Sequence, residues 1–115
     1  MSGSCRFSRQ GQSAVLTIIP PFGWTSLPAC MDAMQRLDAS MDTLNIDVSA
    51  LEELDNAGLG LLLLLRQQAV ENGLQPRLRA PQGLVQDVLM LSKLDRLFDV
   101  DSGGDMDLEE IRESD

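Results

Sequence analysis

The chain has 115 residues, with 18 acids against nine bases, a formal charge of −9 and no histidine. That length suits one domain with one core, and the missing histidine removes Ser-His and Cys-His nucleophile pairs and every His-containing zinc set. With three Phe, one Trp and no Tyr, the core must be aliphatic and stacking platforms for nucleobases are absent.

The charge is unevenly spread. Residues 99–115 hold eight acids and one arginine, whereas residues 1–98 carry ten acids and eight bases. The sequence therefore divides into a near-neutral domain, residues 1–100, and an acidic tail, residues 101–115. No cluster of Lys and Arg offers a surface for nucleic acid. Residues 1–6 lack the apolar stretch of a signal peptide. The longest apolar run, residues 57–65, is too short to cross a bilayer. A cytoplasmic protein without direct membrane insertion is expected. Cys5 and Cys30 are too few and too distant in sequence for a metal or redox motif, and they read as free thiols.

Arg6 to Arg9 is a strand candidate, Gly11-Gln12 a turn, and Ala14 to Ile19 a second strand, so the two form a hairpin. Pro20-Pro21 ends that strand, and Phe22-Gly23-Trp24 is a loop. Thr25 or Ser26 can cap a helix that tolerates Pro28 in its first turn. Leu27, Cys30, Met31, Met34 and Leu37 recur at helical spacing, which predicts an amphipathic helix over 26–38. Leu44 to Val48 predicts a central strand. A second helix is expected over 56–72, closed by Gly73, then a short strand over 76–80 and a turn at 81–83. A third helix follows over about 83–92, then a short turn and a last strand near Val100. Helices alternating with strands imply right-handed crossovers. The expected fold is α/β, a mixed sheet of four to five strands with about three helices packed mainly on one face.

The turn Leu54-Asp55-Asn56-Ala57-Gly58-Leu59-Gly60 lies between a strand and the second helix. Such a turn exposes backbone N–H groups and the positive end of a helix dipole, a natural place to hold or sense charge. Here it carries one carboxylate, Asp55, and no hydroxyl. At about 100° per residue, Leu59, Leu62, Leu63, Ala69 and Val70 share one face of this helix, which should pack on the sheet. Arg66 interrupts that face and must snorkel or pair. Leu61, Leu64 and Leu65 then point away from the core, either toward another protein or under the first or third helix. Gly58 and Gly60 would let a partner backbone approach closely.

In the tail, Asp99, Asp101, Gly104 and Glu110 occupy positions 1, 3, 6 and 12 of an EF-hand loop. Position 5 is Gly103, and only five residues follow Glu110, so a solvated acidic tail is the reading and no metal site or cofactor is assigned. No pair of acids is arranged for acid–base work and no nucleophile has a base, so no enzyme activity is assigned either.

Taken together, the segment from Ile46-Asp47-Val48 through Leu54-Asp55-Asn56-Ala57-Gly58-Leu59-Gly60 resembles the signature of STAS domains. That signature is an apolar strand with Asp, a short linker, then Asp-Ser-Ser-Gly-Leu-Gly. The later segment Leu89 to Phe98 resembles the family's third helix and its Leu-Asp-Arg-Leu-Phe ending. The match spans about residues 6–100. STAS domains include bacterial anti-sigma factor antagonists, C-terminal modules of sulfate transporters and small subunits of lipid-transport ATPase complexes. In the antagonists a serine just after the Asp is phosphorylated by an anti-sigma kinase, which switches binding off. That position is Asn56 here, and the next serine position is Ala57.

The resemblance implies a regulatory binding module like an anti-sigma factor antagonist, not switched by phosphate at the usual site. Its partner would be an anti-sigma factor or related ATPase-fold regulator. Contact would run through Trp24, Thr25, Asp55, Asn56, Ala57, Gly58, Leu59, Gly60, Leu61 and Leu64. The alternative is an accessory subunit of a lipid-transport ATPase complex, because those STAS subunits often carry Asp-Thr-Ala-Gly-Leu and Ala57-Gly58-Leu59 fits that version.

Overall fold

The computed structural model describes residues 4–101. Five strands form one sheet in sequence order: β1 (Ser4–Gln10), β2 (Ser13–Ile19), β3 (Thr43–Asp47), β4 (Gln75–Arg79) and β5 (Asp99–Asp101). β1 and β2 pair antiparallel, and every later neighbour pairs in parallel. The hairpin turns at Gly11, whose φ of 63° suits glycine. Helices α1 (Leu27–Met34), α2 (Asn56–Glu71) and α3 (Gly83–Leu91) lie in the three parallel crossovers. Same-handed crossovers stepping in one direction along a sheet deliver their helices to one face.

The register shows that face. Ala14 stands beside Leu44 and Leu16 beside Ile46, Leu78 continues the second row, and Ile18 and Val48 follow along their strands, all fully buried. They pack with Leu61, Leu62, Leu65, Ala69, Val85 and Leu89 from the helices. The opposite face is a polar ladder. Ser8, Val15, Asn45, Arg77 and Asp99 are successive cross-strand neighbours, as are Arg6, Thr17, Asp47 and Arg79. β3 alternates apolar inward and polar outward, the period of two that a sheet covered on one side requires, whereas β2 also turns Val15 and Ile19 to the outer face, where Val15 is buried.

Three features differ from the sequence reading. First, α1 is shorter. A 3-10 turn at Trp24–Ser26 precedes it, and beyond Met34 the chain tightens into bonds from Arg36 N–H to Ala33 C=O (3.0 Å) and Leu37 N–H to Met34 C=O (3.3 Å). The carboxylate of Asp38 then accepts from the Ser40 backbone N–H at 2.9 Å, an Asx turn that ends the helical path. Second, Ser26 stands at the cap position of α1 but does not cap it. Its hydroxyl serves the preceding loop, as described below.

Third, α2 is rotated from its expected phase. Its buried stripe is Gly58, Leu61, Leu62, Leu65 and Ala69, whereas Leu63 and Val70 are 40% and 50% exposed. Leu61 and Leu65 therefore belong to the core, not to an outward face, and Leu64 is half-buried against it. Five consecutive leucines carry no angular information, so only their flanks fix the phase. Gln67 and Glu71, joined across one turn at 3.1 Å, mark the wet side, and the buried stripe is opposite them. Arg66 does find a partner: its Nε donates to the Leu97 C=O at 2.9 Å.

The strand β5 overlaps the EF-hand-like segment. Asp99 pairs in register with Arg77, and its carboxylate accepts from Gln75 Nε2 at 2.9 Å, so it sits in a sheet and not at the head of a calcium loop. Gly104, Glu110 and the rest of the acidic tail lie outside the described residues. Among the described residues, no cluster of acids and cysteines could hold a metal ion, and no helix is long and apolar enough to cross a membrane.

Candidate functional site

The carboxyl ends of β2, β3 and β4 open at one edge of the sheet, where crevices of parallel sheets form. Three connections meet there: Pro20–Trp24 after β2, Val48–Asp55 after β3, and Ala80–Gln82 after β4. A cleft of about 450 Å³ is lined by Pro20, Pro21, Phe22, Ala50, Leu51, Glu52, Glu53 and Asp55. A neighbouring hollow of about 390 Å³ reaches Ser49, Gln82, Gly83 and Leu84. Gln82 Nε2 donates to the Ser49 C=O at 2.8 Å and ties the second and third connections together.

Asp55 starts α2. Its backbone is extended (φ −102°, ψ −174°), and its carboxylate accepts from the Gly58 N–H at 2.9 Å. One of the orphan donors of the first turn is satisfied in this way. An acid at this place also suits the helix dipole. Replacing Asp55 by Ala is expected to cost about 1 kcal/mol of stability, with Asn largely restoring it; urea unfolding of the three proteins measures this. The side chains of Asp55 and Asn56 are both exposed, so the cap faces solvent.

The glycines of this turn work within the fold. A Cβ on Gly58 would come 2.7 Å from Leu54 Cδ1 and 3.3 Å from the Phe22 ring. A Cβ on Gly60 would touch the Trp24 indole at 3.5 Å. The bare backbone of α2 thus receives the Phe22–Trp24 loop. Gly58 is buried, whereas Leu59 and Gly60 are half-buried.

Ser26 holds that loop. Its Oγ donates to the Pro21 C=O at 3.0 Å and accepts from the Gly23 N–H at 3.2 Å, and its own N–H donates to the Gly23 C=O at 2.8 Å. It is the one buried polar residue among those described. Ser26→Ala would orphan the Pro21 C=O and the Gly23 N–H, at a cost of about 1–3 kcal/mol. Thermal unfolding reads the loss, and Trp24 fluorescence reports the loop itself. With its base held, Trp24 lies across the start of α2 and leaves 57% of its surface to solvent. Thr25 beside it is exposed too.

Of the residues singled out in the sequence, Trp24, Thr25, Asp55, Asn56 and Ala57 therefore come together at one accessible edge, with Leu59 and Gly60 behind them. Leu61 does not join them, because it is fully buried, and Leu64 lies further along the helix. Sequence reasoning missed Glu52 and Glu53, which with Asp55 give the cleft three carboxylates and no base among its lining residues. Their run between two apolar positions, Leu51 and Leu54, was the available signal: both leucines are buried, which turns the acids outward.

The fold and this turn define a class. A family model described as "Mlab, STAS domain" matches residues 5–99, and the chain belongs to the STAS domain family. The sheet, the three helices and the crossover turns are those of a STAS domain. Among solved structures, the proposed anti-sigma factor antagonist TM1081 from Thermotoga maritima is 18% identical. The match has a TM-score of 0.69 and covers 94% of each chain. An anti-sigma factor antagonist from Mycobacterium paratuberculosis is 24% identical with a TM-score of 0.69, covering 96% of this chain and 95% of its own. No curated protein matches the chain by sequence.

Proposed function

We propose that this domain is a non-enzymatic regulatory binding module that acts in the cytoplasm as an anti-sigma factor antagonist does, docking a protein through the edge formed by Trp24, Thr25, Asp55, Asn56 and Ala57. The observation that carries the reading is the exposed indole of Trp24, 57% open, seated on a capped helix start. A large aromatic held rigid from below and left open above is the usual form of an interface anchor.

The chemistry of the cleft narrows the partner. Glu52, Glu53 and Asp55 give the edge a negative potential. Phosphorylated ligands and nucleic acid are repelled by it. A complementary protein surface would present Lys or Arg around an apolar slot for Trp24, and binding would weaken with salt. An anti-sigma factor or related ATPase-fold regulator is the proposed partner.

Asn56 sets the mode of regulation. A phosphoserine here would add about −1.5 to −2 charges beside Asp55 and oppose a docked partner. An amide cannot accept that phosphate, so docking at this edge is constitutive. An anti-sigma kinase supplied with labelled ATP is expected to leave the wild type unlabelled and to label Asn56→Ser. Stoichiometric label within residues 49–60 of the wild type would defeat the reading.

A second reading, an accessory subunit of a lipid-transport ATPase complex, is favoured by one observation, the Ala57-Gly58-Leu59 sequence. Affinity capture from native extract with mass spectrometry separates the two. A sigma-factor regulator among the stoichiometric partners supports the first reading, and a transporter ATPase or permease supports the second.

A further inference from the structure

Cys5 and Cys30 are 25 residues apart in sequence, yet their sulfur atoms lie 2.6 Å apart. Cys5 belongs to β1, which among the described residues is an edge strand paired with β2, and its side chain points to the helix-covered face beside Ile18. Cys30 lies in α1, which packs over that strand, and it is fully buried. Both are free thiols. The separation is about half an ångström longer than a covalent S–S bond of about 2.05 Å. The two residues were not recognisable as a pair in the sequence, because the crossover that brings α1 back over β1 is what joins them.

We propose that Cys5 and Cys30 are a reversible oxidation site, closing an intrachain disulfide that ties the edge strand β1 to α1 when a small-molecule disulfide such as oxidised glutathione is present. The inference stands apart from the choice of partner.

The two thiols differ in a way that orders the steps. Cys5 is partly exposed and Cys30 is not. The contact between the two sulfurs holds the Cys5 thiol below its ordinary value, while the same contact, together with burial, pushes Cys30 above it. A lowered, accessible thiol is the one that attacks. The Cys5 thiolate attacks one sulfur of oxidised glutathione. A Cys5–glutathione mixed disulfide forms, and one glutathione thiolate leaves. Cys30, no longer facing a thiolate, gives up its proton to water. Its thiolate attacks the Cys5 sulfur and expels the second glutathione. In sum two protein thiols are oxidised to one disulfide, one glutathione disulfide is reduced to two thiols, and the two protons lost by the protein are taken up by the departing thiolates. Dithiothreitol reverses the exchange.

The test is intact-mass spectrometry of the full chain after incubation with oxidised glutathione, followed by denaturation and alkylation. The wild type is expected to lose about 2 Da and to take up no alkylating agent, and dithiothreitol should restore both thiols. Cys30→Ala should halt at a mixed disulfide on Cys5, about 305 Da heavier, because no resolving thiol remains. Cys5→Ser should resist the oxidant, because its remaining thiol is buried. Circular dichroism establishes that each variant is folded. Two fully alkylated thiols in the treated wild type would overturn the proposal. So would a wild type that stops at the glutathione adduct or oxidises only to a dimer linked between chains.

Discussion

Leu61→Asp is expected to unfold the domain, whereas Leu63→Asp, two residues along the same helix, should be nearly silent. Leu61 is fully buried between α2 and the sheet, and Leu63 is 40% exposed. A carboxylate at position 61 would be buried among aliphatic side chains without a partner. The loss exceeds the 2–5 kcal/mol typical of truncating a buried leucine to Ala, and it is comparable with the whole stability of a small domain, about 5–15 kcal/mol. At position 63 the carboxylate reaches water, and surface changes of this kind stay within about 0.5 kcal/mol. Far-ultraviolet circular dichroism and urea titration separate the outcomes. If Leu63→Asp unfolded the chain and Leu61→Asp did not, α2 would have the phase first read from the sequence.

The second large effect lies at Gly58. Even one methyl group here meets Leu54 Cδ1 at 2.7 Å and the Phe22 C=O at 3.4 Å. For Gly58→Ala the obstructing atom is mainly the end of a flexible leucine, and helix propensity returns about 1 kcal/mol, so a small net change is expected. Gly58→Val adds two further methyl groups to a Cβ already crowded by Leu54 and Phe22, and overpacking of this kind costs about 1–3 kcal/mol. The loop that carries Trp24 would be displaced along with Phe22. The valine variant should therefore show a lower urea midpoint and a shift in Trp24 emission, and the alanine variant should resemble the wild type in both. Equal emission spectra for all three would mean that the loop does not rest on this glycine.

These two positions also show how far the sequence could be read. The order of strands and helices was legible because Pro20-Pro21, Gly73 and Pro81 punctuate it and because Leu44 to Val48 reads as buried strand. Gly73 does take a positive φ of 78° just past α2, as a helix terminator should. That a polar residue before the leucine-rich run would start a helix was legible, but that the cap is Asp55 and not Asn56 is seen only in the structure. The facing of α2 was not, since five leucines in a row look alike from every side. Nor was the role of Ser26, whose hydrogen bonds run to Pro21 and Gly23 within a loop that has no periodic pattern. The glycines of the signature were read as open ground for a partner. They also seat Leu54, Phe22 and Trp24, which only the packing of two connections against one helix could reveal. Cys5 and Cys30 belong to the same category, because a parallel crossover makes neighbours of residues that no local motif connects.

If Trp24 and the acidic edge form the docking surface, changing them must cost partner affinity, and if they are only loop and cap it must not. The measurement is isothermal titration of the captured partner against the wild type, Trp24→Ala and the double change Glu52→Lys with Glu53→Lys, all checked for folding by circular dichroism. Truncating an anchoring aromatic costs about 2 kcal/mol or more, which is at least tenfold in Kd. Reversing two carboxylates should weaken binding further at low salt and less at high salt. Partner affinities that are the same for all three folded proteins would contradict the account and move the interface elsewhere on the domain.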